Sequence, residues 1–482
     1  MQTPQSKSEH DAALAAMPAT ELRKRIARRE ISPVELVEAL ISRVHELDGE
    51  LHAFCDFDEE KIRASAQAAE KAVKSMDSLP LLHGIPVAVK DLIVTKGIRT
   101  TRGSALFRDD IPTFDAPVIE KLHAAGGIIF GKTNTSELGW KSAGSNRVFE
   151  ETRNPWNLDR TPGGSSAGSA VALATGMVPL ALGTDGGGSC RMPASFCNTF
   201  GYKPSLGRWA LFPPAPVGPM SHVGPMSRTV DDSALLYRAL CGPDDRDIYS
   251  LPAESYFEEP VRPAERLRIG WSPDLGFMPI DPEILAICEK AVRRFEAAGC
   301  EIVPLDIKVT DPSRALEIIF ATGIGSTVRR FPDWREKLDP GLAELIIKGE
   351  SLTPFDVAEA GVLRAAISMQ VAAAMAGVDV LVTPTVPIKP FPIGQDGPDD
   401  VAGHDLGPVR WFAMTAIFNM TGQPVASVPC GFDSDGMPVG LQIVGRRYAD
   451  WDVFRASKTF EEVSPWAQHW PKISGLGQAG GK

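Results

Sequence analysis

The chain has 482 residues, 43% of them hydrophobic and 23% charged, which is typical of a globular protein able to bury a large core. Fifty Lys and Arg against 61 Asp and Glu give a net charge of −11. This charge argues against nucleic acid or an anionic membrane as a partner and favours neutral or cationic substrates. Length alone suggests about three domains, at roughly 150 residues each.

Targeting and cysteine patterns point to a reducing compartment. No run reaches the roughly 18 consecutive apolar residues that a membrane-spanning helix needs, and the first 20 residues lack the pattern of an export signal. The seven cysteines are odd in number, scattered and without a C-x-x-C pair. A disulfide framework or a zinc ribbon would need clustered cysteines. We therefore expect reduced thiols and a cytoplasmic location.

Helical and extended patterns alternate along the chain. In chain order they predict two helices within 19–47, further helices over 58–76, 115–125 and 166–174, and strands over 85–89, 128–130, 178–182, 267–269 and 380–382. Such alternation indicates an α/β fold with a mostly parallel sheet covered by helices on both faces.

Two short motifs match known patterns but stand in the wrong context. Gly126–Thr133 fits the P-loop pattern GxxxxGK[ST], yet a helix precedes it and strand formers fill its middle, so we predict a turn and a core strand. Gly164–Gly168 fits the GxSxG elbow of α/β-hydrolases around Ser166, but it follows a polar loop instead of a strand. An α/β-hydrolase-type esterase is kept as an alternative function.

A larger constellation joins two glycine-serine segments through one helix and one strand. Thr184–Ser189 puts three glycines before a serine, and successive glycine N–H groups can face one concavity suited to an oxyanion. Ser189 is then the candidate nucleophile. No histidine is near in sequence, so Lys90 at the end of its strand is the candidate base, with Ser165 as a relay. Ordinary glycine turns and a surface lysine are the competing interpretation of the same residues.

The same segments resemble the amidase signature family of serine hydrolases, and in particular its free-standing, aryl-acylamidase-like members. The resemblance is carried by GIPVAVKD over 84–91, TPGGSSAGSA over 161–170, GTDGGGSCRMPA over 183–194, GYKP over 201–204, GQP over 422–424 and GMPVGLQ over 436–442. It extends from about residue 19 to 460, and a lysine followed by two serines 24 positions apart is the family's spacing. Ala167 and Cys190 depart from the residues common in the family.

The resemblance implies one large α/β/α domain in place of three, with a mixed, twisted central sheet covered by helices on both faces. We accordingly predict a partly disordered tail over 1–18, an amidase domain over 19–474 and a flexible tail over 475–482. Within the domain, the signature core spans about 84–208, and a variable region that shapes the substrate site spans about 310–370.

The resemblance also implies a Ser–Ser–Lys triad that forms an acyl-enzyme without a metal or other cofactor. The implied catalytic residues are the nucleophile Ser189, the base Lys90 and the bridging Ser165, which follows a cis peptide bond after Gly164. The implied oxyanion hole consists of the backbone N–H groups of Gly186, Gly187, Gly188 and Ser189.

Three further residues are expected to support this triad without reacting. Asp185 and Arg191 flank the nucleophile and are expected to fix its loop by an ion pair or hydrogen bonds. Ser166 is expected to cap the following helix and brace the triad.

The predicted function is hydrolysis of small linear amides, with anilides or carbamates (urethanes) as candidate substrates and water as the second reactant. The alternative from another class is the amidase subunit of a glutamine-dependent tRNA amidotransferase. Leu92 after Lys90-Asp91, and the GQP motif over 422–424, favour a free-standing amidase over that subunit. We expect no nucleic-acid partner and no membrane, with a homodimer as the default assembly.

Overall fold

Eleven short runs of mostly buried residues form one sheet in the computed structural model, which describes residues 4–75, 78–252, 254 and 259–473. The strands are β1 (Phe54–Asp56), β2 (Pro86–Lys90), β3 (Ile128–Thr133), β4 (Leu180–Asp185), β5 (Phe200–Lys203), β6 (His222–Ser227), β7 (Arg268–Trp271), β8 (Glu301–Pro304), β9 (Val380–Pro384), β10 (Val425–Phe432) and β11 (Pro438–Val444). Their order across the sheet is β1-β3-β2-β4-β6-β5-β10-β11-β9-β7-β8.

The sheet is mixed, so the alternation-based prediction of a mostly parallel sheet is wrong. Strand β2 pairs in parallel with β3 and β4, and β7 pairs in parallel with β8 and β9. The other six pairings between these strands are antiparallel. The antiparallel centre is made by β5, β6, β10 and β11, which the pattern missed because glycine and proline interrupt their apolar runs.

Helices cover both faces of this sheet, as the family resemblance implies. They are α1 (Pro4–Ala16), α2 (Ala19–Ala27), α3 (Pro33–Leu51), α4 (Glu59–Val73), α5 (Pro117–Ala124), α6 (Ala167–Ala174), α7 (Arg191–Cys197), α8 (Val230–Leu240), α9 (Pro282–Val292), α10 (Ser313–Val328), α11 (Trp334–Lys337), α12 (Pro340–Gly349), α13 (Pro354–Ala374), α14 (Gly407–Arg410), α15 (Ala413–Thr421) and α16 (Asp450–Val463). The predicted helices are confirmed as α2 to α6. Local chemistry sets their ends: Ser32 and Glu35 form a capping box at the start of α3, with Pro33 at its first position.

The N-terminal segment differs from the prediction. Pro4–Ala16 is helical instead of a partly disordered tail, and its Leu14 and Ala15 are buried. Burial of these apolar side chains stabilises the helix, which the mostly polar sequence of the segment does not indicate. The predicted tail over 475–482 lies outside the described residues.

The P-loop match has the structural role that its context predicted. Gly126, with a φ of +77°, ends the turn after α5, and Ile128 begins β3. Lys132 is fully buried, and its Nζ donates to the carbonyl oxygen of Ile93 at 2.5 Å and to the hydroxyl of Thr100 at 3.0 Å. This lysine is therefore committed to a protein carbonyl and is not presented to a phosphate.

Two hydrophobic clusters make up the core of the described residues, and a cavity lies between them. One cluster surrounds the sheet and includes Ile93 and Val94, whereas the other contains α10, α12 and α15 and includes Phe320 and Ile324. All four of these side chains line one cavity beside the carboxyl ends of β2 and β4. Part of the region predicted to shape the substrate site, 310–370, thus forms a wall of this cavity.

Candidate active site

The lysine singled out from the sequence is fully buried at the carboxyl end of a central strand. Strands β2 and β4 are parallel neighbours, so their carboxyl ends meet at one edge of the sheet. Lys90 ends β2, and Thr184 is the penultimate residue of β4. The Lys90 Nζ atom lies 2.7 Å from Ser165 Oγ, 2.9 Å from Ser166 Oγ and 2.8 Å from Thr184 Oγ1. The Thr184 hydroxyl was not among the predicted site residues.

The surroundings of Lys90 favour its neutral form. Burial lowers the pKa of Lys90 to about 7, and the negative charge of Asp185 only partly opposes this shift. Among the described residues, no carboxylate lies within salt-bridge distance of the Lys90 amine. A substantial fraction of this amine is therefore unprotonated near neutral pH.

Ser166 contacts the lysine and makes no cap for the helix, so the predicted capping role is wrong. Its side chain makes no capping hydrogen bond to α6. Instead its hydroxyl lies beside Lys90 and donates to the carbonyl oxygen of Thr184 at 3.2 Å. The hydroxyl of Ser166 is therefore engaged by Lys90 and by the backbone of Thr184.

The segments that contain Ser165 and Ser189 lie against each other. The Gly164–Ser165 peptide bond is cis, as the resemblance implies, and Ser165 and Ser189 line the same cavity. The backbone N–H of Ser166 donates to the carbonyl oxygen of Ser189 at 3.2 Å. Within the described residues, the Ser189 hydroxyl makes no hydrogen bond to Ser165. Lys90 and Ser165 are thus hydrogen-bonded to each other, whereas Ser189 lines the same cavity as Ser165 without a hydrogen bond to it.

In the glycine loop before Ser189, one of the four N–H groups predicted to form an oxyanion hole has a partner within the protein. The N–H of Gly188 donates to the Asp185 carboxylate at 2.7 Å, so this predicted donor is already engaged. The N–H groups of Gly187 and Ser189 have no acceptor within the described part of the chain. Gly188 has a φ of +124°, and a Cβ atom there would lie 2.2 Å from Thr415 Oγ1, so only glycine fits.

A buried ion pair holds this loop in shape. The Asp185 carboxylate accepts from the Arg191 guanidinium at 2.8 and 2.9 Å, and both side chains are fully buried. Although burial by itself raises the pKa of Asp185, Arg191 and the amide of Asn419 hold it well below its usual range. The charged Asp185 carboxylate thus links Arg191 to the backbone N–H groups of Gly188 and Cys190 in this loop.

The partners of this ion pair come from a distant part of the sequence. Arg191 also donates to Gln442 Oε1 at 2.7 Å, Asn419 Oδ1 at 2.7 Å and the carbonyl oxygen of Thr415 at 2.9 Å. The Thr415 hydroxyl in turn donates to the carbonyl oxygen of Gly187 at 2.6 Å. Only Gln442 had a sequence signal, as the last residue of the GMPVGLQ motif; Asn419 and Thr415 stand in an apolar helix that predicts only core packing.

Comparison with known proteins identifies the family. The amidase family model matches residues 35–454. An acylamidase of Rhodococcus erythropolis is 36% identical over 95% of this chain and 97% of its own length. The chain belongs to the amidase family. It is accordingly a hydrolase that cleaves amide bonds.

Other relatives of this amidase include one component of a different enzyme. A glutamyl-tRNA(Gln) amidotransferase subunit of Geobacter metallireducens is 31% identical over 92% of this chain and 97% of its own length. Among solved structures, a bacterial aryl acylamidase of the amidase signature family has a TM-score of 0.89 and 31% identity, covering 94% of this chain and 97% of that one. The single α/β domain with a mixed sheet is thus the fold of this family.

A second buried lysine connects two of the amidase's sequence motifs. Lys203, in the GYKP motif, donates from Nζ to the carbonyl oxygen of Gln423, in the GQP motif, at 2.5 Å. It also donates to the carbonyl oxygen of Pro204 at 3.1 Å and lies 3.5 Å from Nε2 of His222. Burial lowers the pKa of Lys203 to about 7. Its backbone carbonyl partners give it a structural role in joining strands β5 and β10.

The cavity of the amidase is mainly apolar. It has a volume of about 480 Å³, and its apolar lining includes Leu92, Phe107, Leu138, Phe212, Val217 and Phe320. Two arginines also line it: Arg102 pairs with Asp110 at 2.7 Å, whereas Arg330 is exposed and has no carboxylate partner among the described residues. Asp and Glu are absent from this described lining.

Proposed function

We propose that this amidase hydrolyses small linear amides through Ser189, Ser165 and Lys90, forming an acyl-enzyme on Ser189. The observation that carries the proposal is a fully buried lysine without a carboxylate partner among the described residues, in contact with a serine that lines the same cavity as Ser189. A lysine that is neutral near pH 7 can act as a base, and a serine hydroxyl can relay a proton because it both donates and accepts.

In the first step, Ser189 Oγ attacks the carbonyl carbon of the amide. In this step the Ser189 side chain rotates so that its hydroxyl reaches Ser165. Hydrogen bonds between catalytic groups are often long in the free enzyme and tighten only when substrate is bound. The Ser189 proton passes to Ser165 while the proton of Ser165 passes to the Lys90 amine. The new oxyanion is stabilised by the free N–H groups of Gly187 and Ser189, with Gly186 next to them in the loop.

In the second step, the relay runs in reverse. Lys90 returns the proton through Ser165 to the departing nitrogen as the C–N bond breaks, which is needed because an amine anion is a very poor leaving group. Water then enters, gives up a proton to the same relay and attacks the acyl-enzyme. The carboxylic acid leaves, and Ser189 regains its proton.

The chemistry of the cavity favours aromatic amides. Flat apolar walls of Phe107, Phe212 and Phe320 beside the serines suit an aryl ring, since aromatic rings prefer stacked or edge-on aromatic neighbours. The similarity to an acylamidase and to an aryl acylamidase supports the same substrate class. Aryl carbamates follow as a second class because their hydrolysis needs the same acyl transfer to a serine.

Covalent labelling tests the proposed nucleophile. A fluorophosphonate probe followed by peptide mapping is expected to modify Ser189, and Ser189→Ala is expected to abolish both labelling and turnover of p-nitroacetanilide. Ser326→Ala is the matched control, because Ser326 lines the same cavity from α10 and its hydroxyl donates to the carbonyl oxygen of Gly323. Wild-type turnover by Ser189→Ala, or labelling at another serine, would overturn the assignment.

The amidotransferase component is the second candidate, favoured by relatives of that name at 31–34% identity. Free glutamine carries an ammonium group whose binding calls for a carboxylate, and the described cavity lining contains no Asp or Glu. We therefore expect hydrolysis of an anilide and none of glutamine. Glutaminase activity without anilide hydrolysis, or co-purification of the other amidotransferase components, would reverse this order.

We also propose that the protein works in the cytoplasm. All seven cysteines are free thiols, and five of them are buried. Reduced cysteines of this kind are usual where glutathione and thioredoxin keep thiols reduced.

A further inference from the structure

Helix α13 presents an apolar stripe to solvent. Its most exposed large side chains, Phe355, Val362 and Met369, are 81%, 71% and 74% exposed. They recur every seven residues, and exposed alanines follow each of them three positions later. The complete stripe is Phe355, Ala358, Val362, Ala365, Met369 and Ala372. This is the a/d spacing of a helix that packs against another helix.

The charges of α13 do not interrupt this stripe. Asp356 belongs to the capping box of the helix and pairs with Arg314, and Arg364 Nε donates to the carbonyl oxygen of Met420. Glu359 is the one other charged residue within Pro354–Ala374. The helix therefore uses two of its three charges for contacts within its own chain while leaving apolar side chains in water, the reverse of an ordinary solvated helix.

A membrane is the alternative partner for so apolar a helix. By length and composition α13 could cross a membrane, and only 17% of its most apolar 18-residue stretch is buried. However, its inward face, with Ala360, Ile367 and Val371 buried, packs on α10 and α15. Helices that lie on membranes carry lysines and arginines beside their apolar face, and α13 has only Arg364, which is turned inward.

We propose that the stripe binds the same stripe of a second copy of this chain, with the two α13 helices antiparallel about a two-fold axis. The register that buries the whole stripe puts Phe355 opposite the partner's Ala372, Met369 opposite the partner's Ala358, and Val362 opposite the partner's Ala365. Each large side chain then meets an alanine. Alternating large and small residues across the contact let two helices approach closely without voids.

The alternation of large and small side chains along the stripe favours this antiparallel register over a parallel pair or a shifted register. A parallel pair would set Phe355, Val362 and Met369 against their own copies and alanine against alanine, which would crowd some layers and leave gaps in others. A shift of one heptad from the antiparallel register would leave at least one large residue without a partner. A two-fold axis uses the same surface on both copies, so the dimer closes and cannot extend into a fibre.

Pairs of cysteines test the register. Val362→Cys with Ala365→Cys in one chain is expected to give a disulfide-linked dimer under mild oxidation, because these positions face each other across the axis. Ala358→Cys with Ala365→Cys is the matched control: both are exposed alanines of the stripe, and neither faces the other in the proposed register. Equal cross-linking of the two variants, or none in either, would overturn the register.

A charge placed on the stripe tests the surface itself. In sedimentation experiments, Val362→Glu is expected to weaken dimerisation by about 100-fold or more, since it buries an unpaired carboxylate twice. Val357→Glu is the matched control on the same helix, 46% exposed and off the stripe, and should leave the dimer unchanged. Both variants should retain amidase activity. A monomeric wild-type protein, an unaffected Val362→Glu dimer, or binding of the monomer to phosphatidylcholine vesicles that Val362→Glu abolishes would overturn the proposal.

Discussion

At the scale of single residues, three fully buried lysines show why one of them is suited to be a base. The shortest contacts of Lys132 and Lys203 are to backbone carbonyl oxygens at 2.5 Å, and a carbonyl can only accept. Lys132 also lies 3.8 Å from the Asp91 carboxylate, which favours its charged form. Lys90 is surrounded at 2.7 to 2.9 Å by three hydroxyl groups. A hydroxyl accepts from an ammonium and donates to a neutral amine, so the surroundings of Lys90 satisfy both protonation states.

The pH dependence of turnover follows from this contrast. Below about pH 7 the Lys90 amine is protonated and cannot accept a proton, so kcat/KM is expected to rise with pH and level off above about 7. Lys90→Ala should lower kcat by several orders of magnitude and remove this inflexion, and Ser165→Ala should cost somewhat less. Lys203→Met is the matched control, because burial also brings the pKa of Lys203 to about 7. Loss of the inflexion in Lys203→Met alone would contradict the assignment.

The buried ion pair predicts a stability effect. Arg191→Met leaves the Asp185 carboxylate buried without its cation, which is expected to lower the free energy of unfolding by about 3–5 kcal/mol. Arg329→Met is the control, since the Arg329 side chain is 60% exposed and its pairing with Glu350 is worth about 1 kcal/mol or less. Urea unfolding followed by circular dichroism measures both changes. Similar losses in the two variants would mean that the buried network does not hold the loop.

At the scale of elements, the glycine loop between β4 and α7 has positions with different tolerances. Gly188→Ala forces a Cβ to 2.2 Å from Thr415 Oγ1 at a φ of +124°, so the loop must move. The moved loop displaces the neighbouring N–H groups of Gly187 and Ser189, and turnover is expected to fall by about 10²–10³-fold, the cost of losing one oxyanion donor. Gly186→Ala is the contrasting variant: its new Cβ would lie 3.4 Å from Val217, an ordinary contact. Anilide hydrolysis rates compare them, and equal losses would contradict this account of the loop.

Sequence patterns anticipated the elements that have local signals better than those whose pairing depends on distant parts of the chain. Periodicity and capping residues predicted α2 to α6 and strand β2 with Lys90 at its end, because those signals are local. Strands β5 and β6 carry glycine and proline inside short buried runs, so their pairing is decided by neighbours distant in sequence. The same limit applies to Asn419, whose contact with Asp185 spans 234 positions.

At the scale of the whole molecule, the net charge of the chain is opposite in sign to the charged side chains that line the cavity. The chain carries −11, which by itself favours cationic substrates, yet the described cavity lining has two arginines and no carboxylate. Local charges dominate within a screening length of about 8 Å at physiological salt. Substrates with a negative group are therefore expected to bind better than those with a positive one.

Arg330 provides the test. For a carboxylate-bearing anilide, Arg330→Gln is expected to raise KM about two- to five-fold, the modest size of an exposed ion pair, and to leave kcat unchanged. The uncharged parent anilide is the control and should show the same KM in both proteins. Added salt should reduce the difference. An equal rise for both anilides would show that Arg330 acts through packing instead of charge.

The hydrogen bonds from Arg191 to Gln442 and from Lys203 to Gln423 join the middle of the chain to its C-terminal part. Neither of these two segments holds the glycine loop before Ser189 alone. Chimaeras made by exchanging segments between relatives must therefore keep 184–203 and 415–442 from the same parent. A recombination library screened for activity should recover crossovers outside this pair of segments and lose those that separate them.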